Sequence, residues 1–250
     1  MVKRILITGA TRGIGRATAQ AAMEQGLAVI IHGRNQHRLN QVQQALLTRY
    51  QHGECRVLCC DVTDRAAVSQ ACRQLPPVDY LVNNAGTVAD AWWTKMIANQ
   101  WDTVIATNLT GVFNVTRAVV PRMRAGGAII MMTSQGGLLG NPGQANYAAT
   151  KGALVSLTYT LARELARYHL RVNAVAPAAR TDMTRPVIAH LRDRNGGQLP
   201  AEWQLGSAAA VGRFIVTRVL PAPQTGCVFA INGNQVGYWT PPQYHARFPK

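Results

Sequence analysis

The chain is 250 residues long and carries 26 lysines and arginines against 11 acidic residues, a formal net charge of +15. A chain of this length can bury about 70–75% of its unfolded surface in one core, and no repeat, long linker or low-complexity stretch divides it. No apolar run approaches the ~18 residues of a membrane span, and residues 1–8 read as a strand rather than a signal peptide, so the expected setting is cytoplasmic and no membrane partner is expected.

The first element is the apolar run Ile5-Leu6-Ile7, a buried parallel strand by pattern, with Gly9, Gly13 and Gly15 after it and a helical pattern from Ile14. Strand, glycine turn and helix are the setting of a dinucleotide-binding fingerprint. Glycines let the backbone approach a pyrophosphate, and the helix start supplies N–H donors and the positive end of a dipole. The spacing here is G-x-x-x-G-x-G. The second strand, 27–32, ends at Gly33-Arg34-Asn35. A site for NAD usually places an acid there to hold the ribose 2′-hydroxyl. This chain offers Arg34, and Arg12 in the glycine turn, two guanidiniums suited to a 2′-phosphate. NADP(H) is therefore expected over NAD(H). His32, at the strand end, is either structural or in touch with the adenosine.

Further strands are expected near 55–60, 79–83, 127–133, 171–176 and 227–231, separated by helical patterns of 10–15 residues. That alternation implies βαβ units. The expected fold is α/β: one domain over 1–250, a Rossmann-type doubly wound parallel sheet of about seven strands. Ligands of such sheets bind at the carboxyl ends of the strands, and Gly9, Arg34, Asp61, Asn83, Ser134 and Pro177 each follow one. The helices after Asn108 and from Tyr147 are apolar on more than one face, which calls for a homodimer or homotetramer.

Ser134 follows the fifth strand, and Tyr147 stands four residues before Lys151. Residues four apart share one helix face. A free tyrosine titrates near pH 10 and is a poor acid–base catalyst at neutrality; a cation one turn away lowers that value. With a serine beside the phenol, the three residues suit moving a proton on or off an alcohol or carbonyl oxygen.

On these residues the chain resembles the short-chain dehydrogenase/reductase family over most of its length. Thr8-Gly9-x-x-x-Gly13-x-Gly15, Asp61-Val62, Asn83-Asn84-Ala85-Gly86, Asn108, Ser134 and Tyr147-x-x-x-Lys151 match its motifs in order. Within the family, Asn141 to Ala149, Leu161-Ala162-Arg163-Glu164 and Thr181 to Arg185 are similar to 3-oxoacyl-(acyl-carrier-protein) reductases. The resemblance implies a catalytic tetrad of Asn108, Ser134, Tyr147 and Lys151. Tyr147 would give the proton, Ser134 would orient the substrate oxygen, Lys151 would lower the Tyr147 pKa and hold the nicotinamide ribose, and Asn108 would hold a relay water. It implies cofactor contacts from Gly9, Thr11, Arg12, Gly13, Ile14, Gly15, Arg34, Asp61, Val62, Asn84, Ala85, Gly86, Tyr147, Lys151 and Pro177.

The implied reaction is NADPH-dependent reduction of a 3-oxoacyl thioester, in fatty-acid or polyketide-like biosynthesis. Its alternatives are reduction or oxidation of a small free ketone or alcohol, and a non-enzymatic binding protein that keeps the fold. The family's Pro-Gly after the sixth strand is Pro177-Ala178-Ala179 here, tolerable if φ at Ala178 is negative. The likeness fades after Met183, over a region near 183–205 that is a substrate lid in the family, and a tail, 238–250, runs past the usual end. Trp92-Trp93 either wall an acyl site or join an oligomer contact.

The charge of +15 suggests a polyanionic partner. The basic residues are scattered and not interleaved with aromatics, which argues against nucleic acid. An acyl carrier protein is the better candidate, met by Arg122, Arg124, Arg163, Arg167 and Arg171; Arg122 and Arg124 equally suit ordinary helix-end charges. The five cysteines read as buried thiols in a reducing compartment, and neither they nor the six histidines show metal-ligand spacing.

Overall fold

The computed structural model describes residues 2–242. The elements run β1 (Arg4–Ile7), α1 (Gly13–Glu24), β2 (Ala28–Gly33), α2 (Gln36–Arg49), β3 (Cys55–Cys59), α3 (Arg65–Arg73) and β4 (Val78–Asn83). The second half runs α4 (Ala98–Ile105), α5 (Gly111–Val119), β5 (Met123–Met132), α6 (Gly136–Leu139), α7 (Ala145–Glu164), β6 (Arg171–Arg180), α8 (Arg185–Arg194), β7 (Gly206–Ser207), α9 (Ala208–Phe214), β8 (Val228–Asn232) and β9 (Gln235–Trp239). The sheet order is β3-β2-β1-β4-β5-β6-β8-β9, with β7 beside the end of β6. Every pairing is parallel except β8 with β9.

Alternation along the strands divides the core in two. Ile5, Ile7, Val29, Ile31, Val82 and Ile130 pack on one face with residues of α1, α2 and α9. Leu6, Ile30, Leu81, Ile129, Val172 and Ala174 pack on the other with α3, α5 and α7. Helices thus cover both faces, and the loops at the carboxyl ends of the strands are left to form a site. At the amino ends, the Asp79 carboxylate accepts from Arg4 N–H at 2.7 Å and from Arg124 at 2.9 Å, tying β1, β4 and β5 together.

All seven expected strands are present. Two short strands were not expected. β7 is two residues long, and β9 occupies the edge of the sheet. The β8–β9 turn pairs Asn232 with Gln235, and Gly233 is the turn residue at positive φ (60°), the type II′ pattern. Of the expected tail, Tyr238 and Trp239 belong to β9, while 243–250 lie outside the described residues. β6 continues through Ala178 and Ala179 to Arg180, and the non-glycine residue at positive φ among those described is His169. Alanine in place of the glycine lets this strand run on, so Ala178 pairs with Asn232 instead of starting a turn. Cys55 and Cys72 are buried, Cys60 is half-buried and Cys59 is exposed, which corrects the expectation of uniformly buried thiols. Among the described residues no helix is long and apolar enough to cross a membrane, and no group of three His, Cys, Asp or Glu could hold a metal.

Candidate active site

A cleft of about 340 Å³ opens at the carboxyl ends of β1, β2, β4, β5 and β6. Its base is the β1–α1 turn. Gly9 sits at φ 64°, and a Cβ there would stand 2.9 Å from Ala85 Cα. Gly15 has a different task. A Cβ on it would lie 2.4 Å from the Gly9 carbonyl oxygen and 2.5 Å from Asn84 Nδ2, so it lets α1 press against the turn and does not itself line the cleft. Asn84 fastens the two loops: its Nδ2 donates to the carbonyls of Thr8 at 2.9 Å and Gly9 at 3.2 Å. The Thr8 hydroxyl accepts from the N–H of both Asn84 and Ala85 at 2.9 Å.

The start of α1 has no side-chain cap and no acid in its first turn. By contrast, Asn35 caps α2 and Asp64 caps α3, each accepting from a backbone N–H at 2.9 Å. First-turn N–H groups have no partner inside a helix, and here Gly13 and Ile14 present them at the cleft. These residues fit the pyrophosphate of a dinucleotide. Arg12 and Arg34 stand on the rim, both well exposed. Arg12 pairs with Asp182 at 3.6 Å and Arg34 with Asp61 at 3.3 Å. Burial pushes the Asp61 carboxyl up, but the Thr63 N–H and hydroxyl, with Arg34, hold it below its ordinary value.

At the other end of the cleft lie Tyr147 and Lys151, one turn apart on α7. Lys151 Nζ is 5.5 Å from the centre of the Tyr147 ring and donates to the Met132 carbonyl at 2.6 Å. A Cβ on Gly86 would be 3.8 Å from this Nζ, an ordinary contact, and 3.3 Å from Asn108 Oδ1, a tight one. Asn108 is fully buried in a π-helical turn, Ala106–Thr110, between α4 and α5. Its Oδ1 accepts from Thr87 N–H at 2.8 Å. Its Nδ2 donates to the Thr87 carbonyl at 2.9 Å and the Thr150 hydroxyl at 3.4 Å. Both amide hydrogens are thus spent on the frame. Ser134 heads the loop into α6, where its hydroxyl accepts from Gly136 N–H at 3.2 Å and lies close enough to Tyr147 to draw its pKa down.

The electrostatics reverse one expectation. Tyr147 lies above its ordinary pKa. Burial is the main cause, Asp90 adds to it, and the neighbouring Ser134 hydroxyl opposes it. The Lys151 ammonium, 5.5 Å from the Tyr147 ring centre, donates to the Met132 carbonyl at 2.6 Å. Burial pulls Lys151 itself down to about 8. Four side chains expected from the sequence therefore meet here, Tyr147 and Lys151 on the cleft wall with Ser134 and Asn108 packed around them. Every expected cofactor residue except Gly15 lines the cleft.

The comparisons with known proteins agree with this geometry. A family model described as short chain dehydrogenase matches residues 3–192. The chain belongs to the short-chain dehydrogenase/reductase family. It is 40% identical to the 3-oxoacyl-[acyl-carrier-protein] reductase FabG of Staphylococcus epidermidis over 207 residues, 80% of this chain and 84% of that protein. It is 36% identical to the reductase of the same name from Thermotoga maritima, over 94% and 98% of the two chains. Among solved structures, a short-chain dehydrogenase from Mycobacterium avium superposes with a TM-score of 0.83 at 28% identity, over 99% of this chain and 88% of that one. A 3-oxoacyl-[acyl-carrier protein] reductase from Brucella melitensis gives 0.79 at 33% identity, over 92% and 90%.

This short-chain dehydrogenase departs from expectation in its basic residues. Arg122, Arg124 and Arg171 stand at the amino ends of β5 and β6, the opposite end of the sheet from the cleft. Each has internal partners. Arg122 donates to the Leu75 and Arg73 carbonyls, Arg124 pairs with Asp79, and Arg171 donates to the carbonyls of Leu220, Ala222 and Gly126. They clamp loops while remaining partly exposed. Arg167 is exposed, its guanidinium over the Tyr168 ring. Trp93 packs edge-on against Trp101 beside the cleft, and Trp92 remains 65% exposed. Cleft residues that the sequence did not single out include Thr87, Thr103, Thr107 and Met132. Thr103 and Thr107, one turn apart, carried only a helical spacing as signal.

Proposed function

We propose that this short-chain dehydrogenase uses NADPH to reduce a 3-oxoacyl thioester, carried by an acyl carrier protein, to the 3-hydroxyacyl thioester. One observation carries the reading: Ser134, Tyr147 and Lys151 converge at one end of a cleft whose other end is rimmed by Arg12 and Arg34. The names of the relatives at 36–40% identity support the substrate class. When bound, the nicotinamide supplies the hydride for the carbonyl carbon. The phenol of Tyr147 gives its proton to the carbonyl oxygen as that oxygen gains charge. Its raised pKa keeps it protonated at neutral pH, the state that reduction requires. The Ser134 hydroxyl orients and polarises the same oxygen. Lys151, held at about 8, stays largely cationic at neutrality and stabilises the phenolate left behind. Arg12 and Arg34 exchange their exposed carboxylate partners for the 2′-phosphate. We assign the segment near 183–205, which includes α8, to the substrate lid.

The test is NADPH oxidation followed at 340 nm with an acetoacetyl thioester, NADH serving as control. Turnover with NADPH and little with NADH is the expected result; tight NADPH binding without turnover would refute the thioester reading. A second reading, reduction of a small free ketone by the same tetrad, is favoured by the internal engagement of Arg122, Arg124 and Arg171. Trp92, Trp93 and Ile97, neighbours in the chain just before α4, and Phe113 on α5 are exposed large apolar side chains, which supports a homo-oligomer.

A further inference from the structure

The chain contains two Asn-Gly pairs, Asn195-Gly196 and Asn232-Gly233. In such a pair the backbone nitrogen after the asparagine can attack the side-chain amide carbon, and glycine has no Cβ to block the approach. The fold treats the two pairs in opposite ways. Asn232 ends β8 inside the sheet. Its backbone pairs with Ala178 of β6 on one side and Gln235 of β9 on the other. Its side-chain oxygen accepts from Gly206 N–H at 2.8 Å, which turns the amide toward β7. A Cβ on Gly206 would stand 2.2 Å from Gly233 N, so the nitrogen that would attack is covered as well.

Asn195 follows the last turn of α8. Asn195, Gly196, Gly197 and Gln198 are all exposed. Gly196 and Gly197 sit at φ 60° and 89°, and a Cβ on either would meet nothing within 4 Å. Among the described residues Gly196 N–H has no backbone acceptor. The turn is held by Gly197 N–H donating to the Arg192 carbonyl at 2.8 Å and Gln198 N–H donating to the Asn195 carbonyl at 3.2 Å. Hydrogen bonds at an exposed helix end open at little cost. Their opening frees the rotation at Asn195 that brings Gly196 N onto the amide carbon.

We propose that Asn195 is a site of spontaneous covalent modification, converted to aspartate and isoaspartate in the folded protein while Asn232 stays locked. Gly196 N bonds to Asn195 Cγ, the Cγ–Nδ2 bond breaks, and ammonia leaves with the Gly196 amide proton. Water then opens the cyclic imide. Opening at Cγ gives aspartate, and opening at the main-chain carbonyl gives isoaspartate, whose main chain is one atom longer. Either product places a carboxylate at the carboxyl end of α8, where the helix dipole opposes it.

The test incubates the folded full-length protein in mildly alkaline buffer and follows its proteolytic peptides by mass spectrometry, with isoaspartate counted by enzymatic methyl transfer. The peptide holding Asn195 is expected to gain about one dalton, and to do so at least about tenfold faster than the peptide holding Asn232, whose ladder bonds must open first. In denaturant the two are expected to react at similar rates. Asn195→Gln, whose longer side chain cannot close the same ring, is expected to remove the fast phase and to melt with wild type. Equal rates at the two sites in the folded protein would overturn the inference, as would a fast phase that survived in Asn195→Gln. No reaction at Asn195 in the folded protein, with both sites reacting in denaturant, would overturn it by showing the end of α8 to be rigid. A tenfold preference that persisted in denaturant would assign the difference to local sequence and overturn the structural cause.

Discussion

Alanine at Gly137 should cost stability and turnover, whereas alanine at its neighbour Gly136 should cost neither. A Cβ on Gly137 would lie 2.5 Å from the Lys151 carbonyl carbon, 2.6 Å from Lys151 Cβ and 2.7 Å from Gly152 N. Two of these are backbone atoms of α7 and cannot swing aside. Restoring an ordinary contact of about 3.5 Å requires α6 and α7 to part by about 1 Å. Overpacking of this kind costs about 1–3 kcal/mol, which for a chain of this size lowers the melting midpoint by roughly 2–10 °C. The displacement also reaches the chemistry. The Gly137 N–H donates to the Ser134 carbonyl at 3.0 Å, so pushing Gly137 off Lys151 separates two members of the site. A shift of about 1 Å in a catalytic constellation can cost 10²-fold in rate. At Gly136 the nearest atoms to a new Cβ are 3.6 and 3.7 Å away, ordinary contacts, and φ is not positive. There alanine removes unfolded-state freedom and should hold or raise the midpoint. Melting of the unliganded proteins and kcat for acetoacetyl-thioester reduction decide the matter. Gly137→Ala that melted within 1 °C of Gly136→Ala and turned over at its rate would refute the reasoning.

Tyr147→Phe should lower kcat by about 10³-fold while NADPH affinity in a fluorescence titration changes little; an active variant would point to another proton donor. Lys151→Met should abolish turnover yet raise the melting midpoint at neutral pH, because burying the ammonium costs the fold. The sign follows from Lys151 at about 8 when folded against an ordinary value of 10.5. Between these values the unfolded chain binds a proton that the native one does not, so this group adds stability as pH rises. The gap in midpoint between Lys151→Met and wild type should therefore shrink from pH 7 to pH 10, and a constant gap would contradict the assignment. The reduction rate should also fall as pH passes about 8 and the cation is lost. Arg34→Asp should raise the KM for NADPH by roughly 10- to 100-fold, the worth of a charge-assisted contact, while sparing NADH. It should barely move the midpoint, since the exposed Arg34–Asp61 pair contributes little. Equal NADPH KM values would sink the 2′-phosphate assignment.

Most of the sheet was legible because parallel strands buried on both faces read as unbroken apolar runs, as at Ile5 to Ile7 and Val29 to Ile31. β9 was not, because Gln235 to Tyr238 form an exposed edge strand with no such run. The residues that line the cleft were legible from strand ends, glycines and guanidiniums, and the grouping of Ser134, Tyr147 and Lys151 from spacing and chemistry. The direction of the Tyr147 shift was not. One-turn spacing brings the two residues together, but Lys151 donates to a carbonyl of β5, and burial sets both titrations. The π turn that buries Asn108 likewise leaves no mark in local composition. Arg122, Arg124 and Arg171 show the limit of charge counting: a basic side chain near a strand start serves a neighbouring carbonyl as readily as an acidic partner.

The contacts between Thr8 and Asn84 bear on how such a site can be re-engineered. One hydroxyl and one amide join loops 76 positions apart in the chain. The glycine turn is therefore not a portable module. A turn transplanted from a relative with a different cofactor preference arrives without the segment it is stitched to. Both side chains reach backbone groups of the opposite loop, so exchanges that keep Thr8 and Asn84 keep the junction, and exchanges that lose either lose its half of the bonds.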